Sequence, residues 1–375
     1  MRSFTYLRGV PSAVEQADPS SLLRILWLAA AAAVGMLGCG EEASAPVAPA
    51  DGAAPAALVV VAGYKVVDLG TLPGVTGGGA AVAVNRSRQV VGETFALGPA
   101  GLENHAFLWS NGVMRDLGNL GALPAPGRAS SRASGINDAG KIVGSANRSD
   151  GAVHAFLWAN GVMRDLGTLG GQQSSAEAIN GVGQVVGWST LKAASGGESV
   201  THAFLWQNGT MKDLGTLGGN YSRASGINSL GEVVGESRAA DGWIHAFRWA
   251  NGKMTDLRPQ GGGRSQAYAI NFGGRVVGAS VKGPRATVWV NGLPRYLGPL
   301  GEISSAHGIN NAGLVVGTTQ LNGVSRALLW TKGVMSDLPA AGGGPAHGQA
   351  YGINAAGDVV GTDFTTGHAV LWAHE

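Results

Sequence analysis

The chain has 375 residues, with 63 glycines, one cysteine, 13% charged side chains and a formal net charge of +2. Charge this sparse and nearly balanced excludes the basic footprint of a nucleic-acid binder, and a lone cysteine excludes an intramolecular disulfide framework. Glycine this abundant without a G-X-Y period argues for turn-rich β structure rather than collagen.

In chain order, Arg24 precedes an apolar run over residues 25–37 that is too short to span a bilayer comfortably and ends in small residues before Cys39. Residues 1–38 therefore read as a secretory signal peptide, whose loss leaves a formal charge of about +1. Met36-Leu37-Gly38-Cys39 resembles a bacterial lipobox, which implies a lipoprotein signal and Cys39 as the lipid-bearing first residue. An ordinary signal peptide with an incidental cysteine is the alternative. More than one acyl chain, at about 0.8 kcal/mol per buried methylene, gives lasting anchorage. Residues 39–58, rich in Ala and Pro with Glu41 and Glu42, carry too few bulky apolar groups to pack and read as a tether.

Over residues 59–375 one sentence recurs: A-x-[AG]-[IV]-N-x-x-G-x-[VI]-V-G, then HAFLW or a variant, then a turn and x-M-x-D-L-G. Its Asn falls at Asn85, Asn137, Asn180, Asn228, Asn271, Asn310 and Asn354, a period of roughly 45 residues, about one propeller blade. In Asn137-Asp138-Ala139-Gly140 and its counterparts, Asn bonds the backbone ahead of it while Gly takes a positive φ, folding strand one onto strand two. Asn-Gly after Trp109, and at the equivalent places, pairs strands three and four. A two-residue loop fixes register, so Trp109 should face Met114, Phe107 should face Asp116, and His105 should lie diagonal to Asp116. The same relation joins His154 to Asp165, His202 to Asp213 and His245 to Asp256, while Arg285 and Arg326 replace His in two repeats. Histidines spread one to a blade do not converge as metal ligands must, so no metal and no cofactor is expected. The repeated Trp and Phe read as blade-to-blade core rather than carbohydrate platforms.

The first strand is poor in bulk, as an innermost strand should be. The third clause, 64–70, stands ahead of every other clause, and the last unit stops at HAVLW without one. The expected fold is all-β: a seven-bladed β-propeller of four-stranded blades, closed by 64–70 joining the last blade with Asp68 near His368. An open β-solenoid is the alternative. The motifs HAFLW, DLGTLGG and AINxxGxVVG over about residues 64–375 resemble the bacterial HAF family of extracellular repeats. That resemblance implies an exported repeat protein and supplies no catalytic residues.

The tight turns share one face of such a ring, and the longer connections, with recognition, fall to the other. The free x of A-x-[AG] reads Val82, Ser134, Glu177, Ser225, Tyr268, His307 and Tyr351. Of these, Glu177, Tyr268, His307 and Tyr351 make a candidate site for a sugar or peptide at the channel mouth; a solvent-exposed position under no packing constraint is the bland alternative. No catalytic constellation coincides with the strands. The expected function is a non-enzymatic binding or scaffold module, monomeric and lipid-anchored at the cell envelope, with a surface glycan or protein as partner. The alternative is a polysaccharide-active hydrolase or lyase working through Glu177 and His307.

Overall fold

A computed structural model of the chain describes residues 59–75, 77–98, 101–121, 130–192, 200–258, 262–281, 284–297 and 303–375. The expected signal peptide 1–38, Cys39 and the tether 39–58 lie outside the described residues. Among the described residues there is no helix, and the chain runs as antiparallel four-stranded meanders.

The first repeat forms one such sheet from Gly79–Val84, Val90–Gly98, Gly101–Ser110 and Val113–Asp116. The second follows with Ser131–Ile136, Ile142–Asn147, Val153–Ala159 and Val162–Asp165, and the fifth is again a separate four-stranded sheet. The third and fourth repeats form one eight-stranded sheet, because a parallel bridge from Thr201 to Tyr221 links two meanders. In the sixth repeat Val59–Val60 adds a fifth strand, parallel to Val334–Asp337, with Val61 N donating to Asp337 O at 2.9 Å. Tyr64–Asp68 supplies the outer strand of the last sheet, antiparallel to Ala369–His374, with Tyr64 opposite His374. His368 Nδ1 stands 2.9 Å from an Asp68 carboxylate oxygen.

Turn chemistry cuts the strands to length. Asn137 Oδ1 accepts from Ala139 N and Lys141 N at 3.1 and 3.0 Å. Asn111 and Gly112 sit at φ 51° and 81°, the two left-handed residues of a type I′ hairpin. Trp109 accordingly opposes Met114 and Phe107 opposes Asp116, as the loop length requires.

Each apolar cluster is shared by consecutive repeats. Val143 and Ala155 of the second pack with Ala176, Val185 and Phe204 of the third. Val360, Ala369 and Leu371 of the last pack with Ala81, Val90 and Phe107 of the first. Phe107, Phe156, Phe204 and Phe247 are completely buried in this inter-sheet core. The glycine closing V-V-G meets a different demand. The first strand shifts register between Ala224 and Gly226, and a Cβ on Gly235 would fall within contact radius of the Arg223 carbonyl oxygen.

Candidate functional site

The first strands of successive sheets lie against one another. A Cβ on Gly226 would stand 2.9 Å from Tyr268 O of the next repeat, which is why the residue after x is Gly or Ala. At the end of these strands the seven Asn side chains form a relay. Asn85 Nδ2 donates to Asn137 O at 3.2 Å, Asn137 to Asn180 O, Asn180 to Asn228 O, Asn228 to Asn271 O, Asn271 to Asn310 O and Asn310 to Asn354 O. Asn354 Nδ2 then donates to Asn85 O at 2.9 Å. A cavity of about 220 Å³ opens among these turns, lined by Asn85, Asn137, Asn311 and Asn354 with Ile136 and Ile179. The Asn side chains are buried and satisfied on both ends, so they are joints of the scaffold.

Three and five residues up the strand from each Asn, roughly 10 Å and more from the turn, the side chains diversify. Strand alternation puts these two positions on one side, and the first-strand bulge sets the residue after V-V-G opposite the farther one, as Glu236 is opposite Arg223. In the first three repeats the group is ionic. Arg132 reaches Glu93 at 3.6 Å and Glu177 at 3.9 Å, Asn104 Nδ2 donates to Glu93 at 2.9 Å, and Ser175 Oγ donates to Glu177 at 3.2 Å. The Arg132, Glu93 and Glu177 side chains keep 20%, 12% and 13% of their surface.

The third and fourth repeats add aromatic groups. The Arg223 guanidinium lies 4.3 Å from the centroid of the buried Trp188 ring, a cation–π contact. Tyr221 Oη donates to Glu236 at 2.6 Å, and burial, then the Glu236 charge, pushes its phenol far above the ordinary range. Gln266 Nε2 donates to the other Glu236 oxygen, and Arg264 lies 3.8 Å from it.

In the last three repeats the group is neutral and aromatic. Tyr268 Oη donates to Gln266 Oε1 at 2.8 Å. The Tyr268 and His307 rings meet edge to face at 5.6 Å, and His307 and Tyr351 stack at 5.6 Å with planes 18° apart. His307 Nδ1 stands 3.0 Å from Ala350 O, and Tyr351 Oη donates to Gln349 at 2.5 Å. The structure thus brings together three of the expected site residues, Tyr268, His307 and Tyr351. The fourth, Glu177, belongs two repeats earlier to the charged stretch around Arg132.

Sequence reasoning did not single out Glu93, Arg132, Trp188, Arg223, Glu236 or Gln266. Their signal is present as variability at the residue two before x and at the one after V-V-G, positions that coincide only once the bulge is known. The outer His–Asp contacts stand where the spacing puts them, from 2.8 Å at His202 to 3.0 Å at His105. Among the described residues no group of three or more His, Cys, Asp or Glu is placed to hold a metal ion.

No family model and no curated protein matches the chain. Among solved structures it is similar to a puromycin-hydrolyzing peptidase of Mycobacterium tuberculosis, with a TM-score of 0.51 and 13% identity over 78% of this chain and 52% of that one. The chain thus spans about half the length of that peptidase, and a likeness at this identity speaks to fold alone. It also matches a six-bladed β-propeller lectin of Aleuria aurantia, with a TM-score of 0.37 and 13% identity over 77% of this chain and 99% of that one. The BP39L lectin of Burkholderia pseudomallei matches with a TM-score of 0.40 and 11% identity, over 79% and 94% of the two chains. At TM-scores this low the two lectins carry no argument about ligand or fold.

Proposed function

We propose that the chain is an exported, lipid-anchored, non-catalytic binding module of the bacterial cell envelope, of the HAF type, built as a closed seven-bladed β-propeller. Seven blades follow if the eight-stranded sheet is divided at its lone Thr201–Tyr221 bridge. Closure is supported by the Asn relay that returns from Asn354 to Asn85, by the core shared between the last repeat and the first, and by the pairing of Tyr64–Asp68 with Ala369–His374. Recognition is assigned to the belt from Glu93 to Tyr351 on the first and second strands. The observation that carries this reading is the contrast inside every repeat: turns and core recur and the rim returns with small variation, whereas the side chains of the belt differ from unit to unit. Divergent side chains held on a rigid repeated frame are the usual form of a binding surface.

The test is capture of an envelope component by the full-length protein against a Tyr268→Ala/Tyr351→Ala variant that melts like the wild type. Retention lost in the variant is expected; retention unchanged, or none from either, removes the reading. Lipid labelling that disappears in Cys39→Ser is expected from the anchor. The rival reading, a polysaccharide hydrolase or lyase, draws on the two carboxylates flanking Arg132. Turnover of an envelope polysaccharide that is lost in Glu177→Gln would establish it instead.

A further inference from the structure

Three consecutive repeats give the belt one chemical character on one side. The two belt positions on their first strands read Gln266 and Tyr268, Ser305 and His307, Gln349 and Tyr351. These six side chains supply amides, a hydroxyl, phenols and an imidazole, with no carboxylate or guanidinium among them. Tyr268, His307 and Tyr351 are half-buried and form one continuous row, each ring 5.6 Å from the next. Each tyrosine hydroxyl at the ends of the row is held by the glutamine two residues before it, so the phenols are oriented before any ligand arrives.

We infer that this row binds a neutral saccharide, with sugar rings laid against Tyr268, His307 and Tyr351 and their hydroxyls on the phenol and amide groups beside them; the inference rests on the binding-module reading above. An aromatic ring presents a negative face and a positive edge, which suits the polarised C–H surface of a pyranose, while directional hydrogen bonds suit its hydroxyls. Ionic ligands fit less well. The charged part of the belt sets three carboxylates, Glu93, Glu177 and Glu236, against three guanidiniums, Arg132, Arg223 and Arg264. An anionic sugar must break one of these compensated groupings and leave a half-buried carboxylate facing like charge, whereas a neutral polyol only exchanges hydrogen bonds with water. An extended peptide is recognised chiefly by main-chain pairing at a strand edge, and what this row offers is a line of side chains crossing three strands.

The test is calorimetric titration of the full-length, detergent-solubilised protein. The neutral probes are maltohexaose, cellohexaose and xylohexaose, and the acidic probe is hexagalacturonate. At least one neutral hexaose is expected to bind at least tenfold more tightly than hexagalacturonate, and Tyr268→Ala/Tyr351→Ala to weaken it at least tenfold. Gln349→Leu, which removes the acceptor that orients Tyr351 and leaves the ring stack in place, is expected to weaken it less and to serve if the double variant misfolds. Hexagalacturonate binding more tightly and lost in the variants would overturn the neutral class while leaving the module intact. Neutral binding that neither variant changes would overturn the site. Capture of an envelope protein through the belt, with no hexaose bound, would overturn this inference and leave the proposed function standing. Failure of every probe and of envelope capture together would remove both.

Discussion

The outer rim and the inner belt are built on the same repeats, yet they obey opposite rules. At the rim one arrangement returns with small variation: His105, His154, His202, His245 and His368 each approach an Asp on the neighbouring strand at 2.8 to 3.0 Å. Where Arg326 replaces His, it keeps the contact, donating to Asp337 at 2.9 Å. Along the belt the side chains and their contacts change along the chain, and charge gives way to aromatic rings between the first repeats and the last. A contact that recurs in every unit serves the unit, by tying strand three to strand four. A position that changes in every unit is under no common packing demand, which frees it for a ligand.

Changes at recurring positions should therefore be the most damaging, and they should cost alike in different repeats. Gly235→Ala and Gly144→Ala each drive a Cβ onto a first-strand carbonyl oxygen, that of Arg223 or Arg132. Both are expected to cost more than about 4 kcal/mol by urea unfolding, within the range reserved for severe core clashes. Tolerance of either within about 1 kcal/mol would mean that the bulge yields and the rule is weak. Asn228→Ala comes next. Its Nδ2 donates to Asn271 O and Glu232, and its Oδ1 accepts from Leu230 N and Glu232 N, all at a buried site. Leaving those groups unanswered should cost roughly 2–4 kcal/mol, and Asn180→Ala should cost about the same.

What the sequence disclosed and what it hid divides along the same line. The Asn-x-x-Gly and Asn-Gly turns and the Phe107–Asp116 register were legible, because short loops and period-two alternation determine them within one unit, and the Asp68–His368 contact was legible because clause 64–70 stands ahead of the others while the last unit lacks one. Contacts between units left weaker traces. Asn was readable as a cap of its own turn, but nothing local says that its Nδ2 reaches the next repeat. A serine staple also went unread: Ser174 Oγ accepts from Ala155 N at 2.9 Å and donates to Gly167 O at 2.6 Å, and Ser222 does the same for Ala203 and Gly215. The recurrence of Ser131, Ser174, Ser222, Ser265 and Ser304 was its available signal. The belt was half visible, as variation at x; alternation puts the residue two before x on the same face, but the second-strand members join them through a bulge that composition does not announce. Val59–Val60 on the sixth sheet was hidden for a further reason, since it belongs to no repeated clause.

That extra strand sharpens the rim comparison through pH. Asp337 is fully buried beneath it, Oδ1 has no hydrogen-bond partner among the described residues, and burial pushes the carboxyl above its ordinary range while Arg326 pulls it back. A carboxyl whose folded value is raised keeps its proton longer in the folded chain than in the unfolded one. Its contribution to stability is present in acid and is lost as pH rises from the ordinary carboxylate value through the raised one. Asp337→Asn should remove that slope, of at most about 1.4 kcal/mol per pH unit for one proton. Urea unfolding of both proteins from pH 4 to 7 reads it directly: the variant should gain on the wild type as pH rises. A constant difference would mean that the rim pair is ionised throughout, like an ordinary surface contact.

The smallest expected effect makes the sharpest demand on the comparison. If belt positions answer to no packing rule, exchanging one for another repeat's residue should leave the fold untouched. Val82 occupies in the first repeat the place that Ser134 and Ser225 hold in the second and fourth, and it is half-buried. Val82→Ser is expected to change stability by no more than about 0.5 kcal/mol, the usual range for substitutions away from caps, cores and buried pairs. Val91→Ser, one strand away in the core and fully buried, should by contrast cost several times as much, since it both opens space and buries a hydroxyl. Equal costs at Val82 and Val91 would make the belt a part of the core that merely varies, and its divergence would then say nothing about a ligand. A wide gap, with Val82→Ser near zero, would leave divergence on a rigid frame as the physical reason to look for one there.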